Sequence, residues 1–266
     1  MKAQTIDSDT YAECYYKNRS SIDEQALVIL ELISNLIGDI SKVSVLDVGS
    51  GPGRLAIPIG KKVHKVVCIE SDLSAANYLK NRAKRNKLEI EVFPSKLENL
   101  SSEEVGHFDL VILSHIIHWF DVSILLNLAS KYIVDNGYIL LSYFDLENLK
   151  NMLFYKISGN EILKIQEDNT ISTSQVESFL NSAGFNIIHR GDTPLNVNYG
   201  DKKLEKIINN AGTLAWQKAK AMLSKKEYRE LTKSALTRLN NEPILRDTEY
   251  RTIIVAQKRL YTNDLD

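Results

Sequence analysis

Short apolar runs alternate with amphipathic stretches through the first half of this chain. The apolar runs are rich in Val and Ile, and each is short enough to form one strand. They are VSVLDV (43–48), HKVVCIE (64–70), LEIEVF (88–93), HFDLVILS (107–114) and GYILLSYF (137–144). Apolar residues at helical spacing lie between them at 55–61, 72–86 and 122–134, and Gly137 is predicted to stop the last helix. This alternation predicts an α/β fold in which a parallel sheet is covered on both faces.

The second half follows a different pattern. Residues 145–170 are mixed and polar, without a clean strand. The elements predicted after them are a helix over 172–183 ended by Gly184, a strand FNIIHR (185–190), two Lys- and Glu-rich helical patterns within 201–240, and a last strand YRTIIVAQK (250–258). We therefore expect 145–170 and 195–248 to be segments added to the sheet, forming a helical cover over a pocket.

Composition limits the partners and the compartment. Charged residues make up 25% of the chain and the formal net charge is -1, so nucleic acid is a disfavoured partner, because polyanion binding usually needs excess Lys and Arg. Two cysteines, Cys14 and Cys68, do not make a disulfide framework, which favours a reducing, cytoplasmic compartment. The polar N-terminus lacks the apolar core of a signal peptide. No run of about 18 apolar residues occurs, so we expect no membrane span.

A glycine-rich turn, DVGSGPG (47–53), follows the first predicted strand. Glycine permits tight turns and a close backbone approach to a ligand. The turn falls at the carboxyl edge of the sheet, where open α/β folds bind ligands. Glu70 ends the second run, and a carboxylate there can accept hydrogen bonds from both ribose hydroxyls. The alternatives are a purely structural turn and a nicotinamide site, although the nicotinamide fingerprint requires Gly or Ala where this chain has Arg54.

These motifs resemble those of the class I S-adenosylmethionine-dependent methyltransferases. VLDVGSGPGRL resembles their first motif, VVCIESD the second strand with its ribose-binding acid, and YRTIIVAQKR the closing strand. FDLVILSHIIHWFD, with its His118-Trp119 pair, resembles the small-molecule branch that includes trans-aconitate methyltransferase-like enzymes. TYAECYYKNRSSID resembles that branch's N-terminal lid. The resemblance implies one methyltransferase domain over 1–266, a doubly wound, mostly parallel seven-stranded Rossmann-like sheet, and a helical lid over 1–40.

The resemblance also implies which residues bind S-adenosylmethionine. At the methionine end of the donor they are Gly49, Ser50, Gly51 and Gly53 with Asp47 bracing the turn, Ser114 through its carbonyl, Arg19 on the carboxylate and Tyr16 as a cover. At the adenosine end they are Glu70 on the ribose, Ser71 and Asp72 beside the adenine, and Lys96 and Leu97 at its other edge. The family often carries an acid where this chain has Ser95 and Lys96, so Glu98 is an alternative contact to the adenine amino group.

The acceptor side is less specified by the sequence. The donor methyl group is already activated, so the protein has to place a nucleophile in line with it. A hydroxyl or amine acceptor can require a general base, for which His115, His118 and Tyr143 are the candidates, with Tyr11, Tyr15 and Asp145 also near the expected pocket mouth. His115 and His118 have an HxxH spacing but lack a third ligand nearby, so we expect no metal site.

Three functions remain open. The favoured one is methyl transfer to a small molecule through a carboxylate, hydroxyl or amine. An RNA- or protein-directed enzyme is less favoured, because the NPPY-like tetrapeptide of amide and base methylation is replaced by Ser114-His115-Ile116-Ile117. A protein that binds the donor without turnover is the third. The oligomeric state is left open.

Overall fold

The computed structural model describes residues 22–168, 170–198, 200–211, 213–242 and 245–259. Within it the chain forms two compact units. Of the described residues, the sheet unit contains 22–143, 173–193 and 252–259. The helical unit contains residues 144–172 and 194–251. The segments predicted as additions to the sheet, 145–170 and 195–248, fall almost entirely in the helical unit, and their covering role remains a prediction.

Seven strands form one sheet. They are β1 (Ser44–Val48), β2 (Lys65–Ile69), β3 (Ile90–Phe93), β4 (Phe108–Ser114), β5 (Ile133–Tyr143), β6 (Phe185–Asn198) and β7 (Arg246–Lys258). Their order is β3-β2-β1-β4-β5-β7-β6. Strands β1 to β5 pair in parallel, whereas β7 runs antiparallel to β5. The predicted α/β fold with a mostly parallel seven-stranded sheet is therefore confirmed.

The described helices connect these strands or build the helical unit. In chain order they are α1 (Ile22–Ile37), α2 (Ala56–Gly60), α3 (Leu73–Arg85), α4 (Ser102–Val105), α5 (Val122–Ser130), α6 (Leu146–Asn151), α7 (Leu153–Ser158), α8 (Asn160–Glu167), α9 (Thr173–Ser182), α10 (Gly200–Asn209), α11 (Leu214–Met222) and α12 (Lys225–Asn240). Among the helices that the structure describes, none is both long and apolar enough to cross a membrane.

The sequence predicted that Gly137 stops a helix, and this prediction is wrong. Helix α5 ends at Ser130, and Gly137 lies inside β5. The register between β4 and β5 shifts beside it, from Phe108 opposite Ile133 to Leu110 opposite Tyr138. A Cβ on Gly137 would meet Ile133 Cγ2 at 2.7 Å. Glycine is therefore required by an irregularity within the strand, which is a common role for glycine in sheets.

The region 201–240 contains three helices instead of the two predicted. Ala211, with φ 50°, follows α10, and Thr213 then begins α11 by accepting a hydrogen bond from the Trp216 N–H. Ser224 and Glu227 form a reciprocal capping box that begins α12. Each cap satisfies N–H groups that lack partners within a helix, so the chain restarts a helix at both points.

Each unit has its own apolar core. In the sheet unit, α1 packs through Ala26, Ile29 and Ile33 onto a cluster that includes residues of β1, β2 and β4. In the helical unit the fully buried Trp216 belongs to a second cluster, and its Nε1 donates to Ser158 Oγ at 3.1 Å. The segments beyond the sheet are thus a packed body of their own.

Candidate active site

The strand order reverses beside β1. The chain moves outward from β1 to β3 and then returns to place β4 on the other side of β1. The carboxyl ends of β1 and β4 therefore flank the switch point, which is where open α/β sheets bind their ligands. The glycine turn follows β1, and the segment beginning at His115 follows β4.

The glycine turn requires glycine for both its backbone and its packing. Gly49, Gly51 and Gly53 have φ values of 69°, 53° and 80°, in the left-handed region that side chains disfavour. A Cβ on Gly49 would collide with the side chain of Ile116, and a Cβ on Gly53 with Leu79. Within this turn the Ser50 hydroxyl is buried.

Glu70 holds the turn from the neighbouring strand. Its Oε2 accepts a hydrogen bond from the Gly51 N–H at 2.7 Å, and its Oε1 accepts one from the Asp72 N–H at 2.8 Å. Burial raises the pKa of the Glu70 carboxyl, and these N–H donors partly offset that rise. The carboxylate retains lone pairs with which to accept ribose hydroxyls. The link from Glu70 to the turn was not anticipated from the sequence, and its ribose role remains a prediction.

Asp47 is a buried acid beneath the turn. Its residue is 3% exposed and lies opposite Cys68 in the pairing of β1 with β2. Burial, and secondarily the negative charge of Glu70, raise the pKa of Asp47 to about 7, and no hydrogen bond within the described residues offsets this. Burial also raises the pKa of the Cys68 thiol. Asp47 and Glu70 are therefore two neighbouring carboxyl groups whose charged forms are disfavoured by burial.

The residues assigned to adenine lie at two adjacent strand ends. Strand β2 pairs with β3 up to Ile69 opposite Phe93, which brings 70–72 near 95–97. Asp72 caps α3, accepting from the Ala75 N–H at 2.8 Å. Lys96 is exposed and precedes a short 3₁₀ turn that begins at the buried Leu97. Ser71 and Glu98 are exposed at the same edge. The adenine contacts of this group remain predictions.

The chain leaves β4 through a strained residue. Ser114 lies opposite Ser142 of β5, and the next residue, His115, has φ 60° and donates its N–H to the Ser142 carbonyl at 2.8 Å. A left-handed histidine is uncommon, and such strain clusters at functional sites. The following residue, Ile116, is the one that packs on Gly49. This conformation has no signal in the sequence.

The other catalytic candidates differ in their surroundings. His118 lies in the 3₁₀ turn Ile117–Trp119. Tyr143, at the end of β5, is 2% exposed, and its hydroxyl shares a 3.0 Å hydrogen bond with Thr173 Oγ1. Asp145 precedes α6 in the helical unit and makes no side-chain capping bond. Among the residues described here, no three His, Cys, Asp or Glu side chains group as metal ligands would.

Several predicted residues lie outside the described part of the chain. They are Tyr11, Tyr15, Tyr16 and Arg19. Of the predicted lid, 1–40, residues 22–37 form α1, and Gln25 in this helix donates to Ser142 Oγ at 3.0 Å within the sheet unit. This part of the segment is therefore joined to strand β5 of the sheet.

Comparison with known proteins adds independent evidence. Residues 45–136 match a family described as a methyltransferase domain. A ubiquinone biosynthesis O-methyltransferase from Rickettsia felis is 31% identical over 116 residues, which is 43% of this chain and 46% of that protein. Another, from Rickettsia prowazekii, is 31% identical over 144 residues, or 53% of this chain and 56% of that protein. The chain thus matches about half the length of these curated relatives.

Solved structures share the fold at low sequence identity. Magnesium protoporphyrin IX methyltransferase from Synechocystis PCC 6803, with bound SAH, aligns with a TM-score of 0.56 at 13% identity, covering 97% of this chain and 90% of that one. Residues 45–136 therefore match a methyltransferase domain, and the fold is shared with a solved methyltransferase. A trans-aconitate-like subtype remains a prediction, and the relatives described above carry a different substrate name.

Proposed function

We propose that this chain is an S-adenosylmethionine-dependent methyltransferase that acts on a small molecule, with a hydroxyl oxygen as the favoured acceptor among carboxylates, hydroxyls and amines. The observation that carries the proposal is the glycine turn at the switch point of the sheet, whose Gly51 N–H donates a hydrogen bond to Glu70. The relatives described above are ubiquinone biosynthesis O-methyltransferases, which supports methyl transfer to oxygen.

The residues in and around the glycine turn fit the proposed donor. S-adenosylmethionine carries a sulfonium and an ammonium group, and its methyl group is already activated when it is bound. Asp47 and Glu70 are two carboxyl groups next to the turn, and because the pKa of each is raised in the unliganded chain, a bound cation would favour their charged forms. The buried Ser50 hydroxyl supplies a further polar contact. A cationic donor would therefore make favourable electrostatic interactions with these carboxyl groups.

An oxygen acceptor would also need its proton removed. His115 and His118 follow β4 at the switch point, so they are the stronger candidates for a general base. Tyr143 is less suited to that role because its hydroxyl is already engaged with Thr173. The absence of an NPPY-like tetrapeptide after Leu113 favours this proposal over attack by a planar amine of RNA or protein.

Binding and turnover test the proposal separately. We expect calorimetry to show binding of S-adenosylmethionine and S-adenosylhomocysteine but not of NAD. Release of S-adenosylhomocysteine should then depend on a small acceptor from a panel of phenols, carboxylates and amines, with RNA included. Binding of neither sulfur compound would refute the proposal, and release with RNA alone would overturn the small-molecule acceptor. Binding without any release would favour a protein that has lost turnover.

Glu70→Gln should weaken S-adenosylhomocysteine binding about fivefold or more, because the ribose hydroxyls and the Gly51 N–H lose a charged acceptor. Glu91→Gln is the matched control, since Glu91 is exposed on the adjacent strand β3. Equal affinities of the wild type and Glu70→Gln in calorimetry would mean that the ribose site lies elsewhere.

A further inference from the structure

One arginine of helix α3 reaches back to the glycine turn. The Arg82 Nη1 atom donates to the Pro52 carbonyl at 2.9 Å and to the Gly53 carbonyl at 3.4 Å. Arg82 is half-buried, and it lies about 30 residues after the turn in the sequence, so the contact is long-range. Hydrogen bonds from an ionised donor are stronger than neutral ones. These bonds therefore fix two successive peptide groups of the turn.

Helix α3 supports the turn at other points as well. Leu79, one helical turn before Arg82, fills the space beside Gly53 that a side chain would need. Glu70 links the Gly51 N–H to the N–H of Asp72, the residue that caps α3. The turn is thus held through an N–H on one side and through carbonyls on the other.

We propose that Arg82 is a positioning residue for the donor site. By holding the carbonyls of Pro52 and Gly53, it keeps the turn in the left-handed conformation in which Glu70 can grip the Gly51 N–H. A turn that is ordered before binding does not have to lose that conformational entropy when the donor arrives. This inference rests on the proposed function, because it assigns Arg82 to the donor site of a methyltransferase.

The helix offers a close control. Arg85 is exposed one turn further along α3, and its Nε donates at 3.3 Å to the Asn81 carbonyl of the same helix. Loss of Arg85 removes the same charge from the same helix without removing a bond to the turn. A lysine in place of Arg82 keeps the charge and a donor nitrogen but loses the planar guanidinium, so it should retain part of the function.

The test measures affinity for S-adenosylhomocysteine in the full chain by calorimetry, at a temperature where all variants are folded. Arg82→Met should weaken binding about tenfold or more, Arg82→Lys less, and Arg85→Met less than twofold. The KM for S-adenosylmethionine should rise in parallel while kcat changes little, and amides of the turn should exchange faster in the unliganded Arg82→Met variant. A rise in KM without a fall in kcat, together with faster exchange confined to the turn, distinguishes positioning from a general loss of stability.

Two results would overturn the inference. One is an Arg82→Met affinity within twofold of the wild type. The other is equal weakening in Arg82→Met and Arg85→Met, which would indicate a general charge effect. A wild-type chain that binds no sulfur compound would instead refute the proposed function, so the two failures can be told apart.

Discussion

Replacement of Asp47 by Asn should make the empty protein more stable at neutral and alkaline pH. Asp47 is buried, and its pKa is raised from 3.8 to about 7. Between these values the unfolded chain has lost the proton that the folded chain keeps, so stability falls as pH rises through this window. The rise of about 3 pKa units corresponds to about 4 kcal/mol at 1.36 kcal/mol per unit. Asparagine has no such proton and should escape this loss.

The free energy of unfolding of the two proteins should therefore diverge with pH. Urea denaturation at pH 4 and at pH 8, followed by circular dichroism, should show that the advantage of Asp47→Asn is larger at pH 8 by about 4 kcal/mol. The same variant should bind S-adenosylmethionine more weakly, because the cation loses a nearby carboxylate.

An exposed aspartate provides the opposite control. Hydrogen bonds donated by Ser41 and Lys42 lower the pKa of the Asp39 carboxyl, so the stability that Asp39 contributes is present above its ordinary pKa and is lost on acidification. Asp39→Asn should therefore gain no advantage at pH 8. An Asp47→Asn advantage that is the same at both pH values would refute the account of Asp47 as a destabilising buried charge.

Two further substitutions test the carboxyl edge of β4 and β5. His115→Gly should relieve about 1–2 kcal/mol of backbone strain at φ 60°, whereas His115→Val should destabilise the protein in thermal unfolding. If the glycine variant is no more stable than the valine variant, the strain is absent. Turnover that vanishes in His115→Gly with unchanged donor affinity would support a role as base. Tyr143→Phe should lower stability by about 1 kcal/mol, because the hydrogen bond between the buried Tyr143 and Thr173 hydroxyls is lost, and should leave kcat largely intact. A large fall in kcat without loss of stability would make Tyr143 catalytic.

The features that could be predicted from the sequence are those with local signals. The run VLDVGSGPG and the acid at the end of the next run were enough to locate the turn and Glu70, because both depend on the chemistry of neighbouring residues. The irregularity at Gly137 was misread, since a glycine after an apolar run signals a helix end and a strand irregularity equally well. The contact of Arg82 with the turn and the strain at His115 could not be foreseen, because both are set by tertiary packing.

The position of β7 has a consequence for synthesis on the ribosome. Although it is the last described strand along the chain, β7 lies between β5 and β6 in the sheet. Until residues 246–258 have emerged, β5 presents an open edge and β6 has no neighbour to join. A nascent or prematurely terminated chain would thus expose strand edges that invite aggregation. We therefore expect chains truncated before residue 246 to aggregate more readily than chains that include β7.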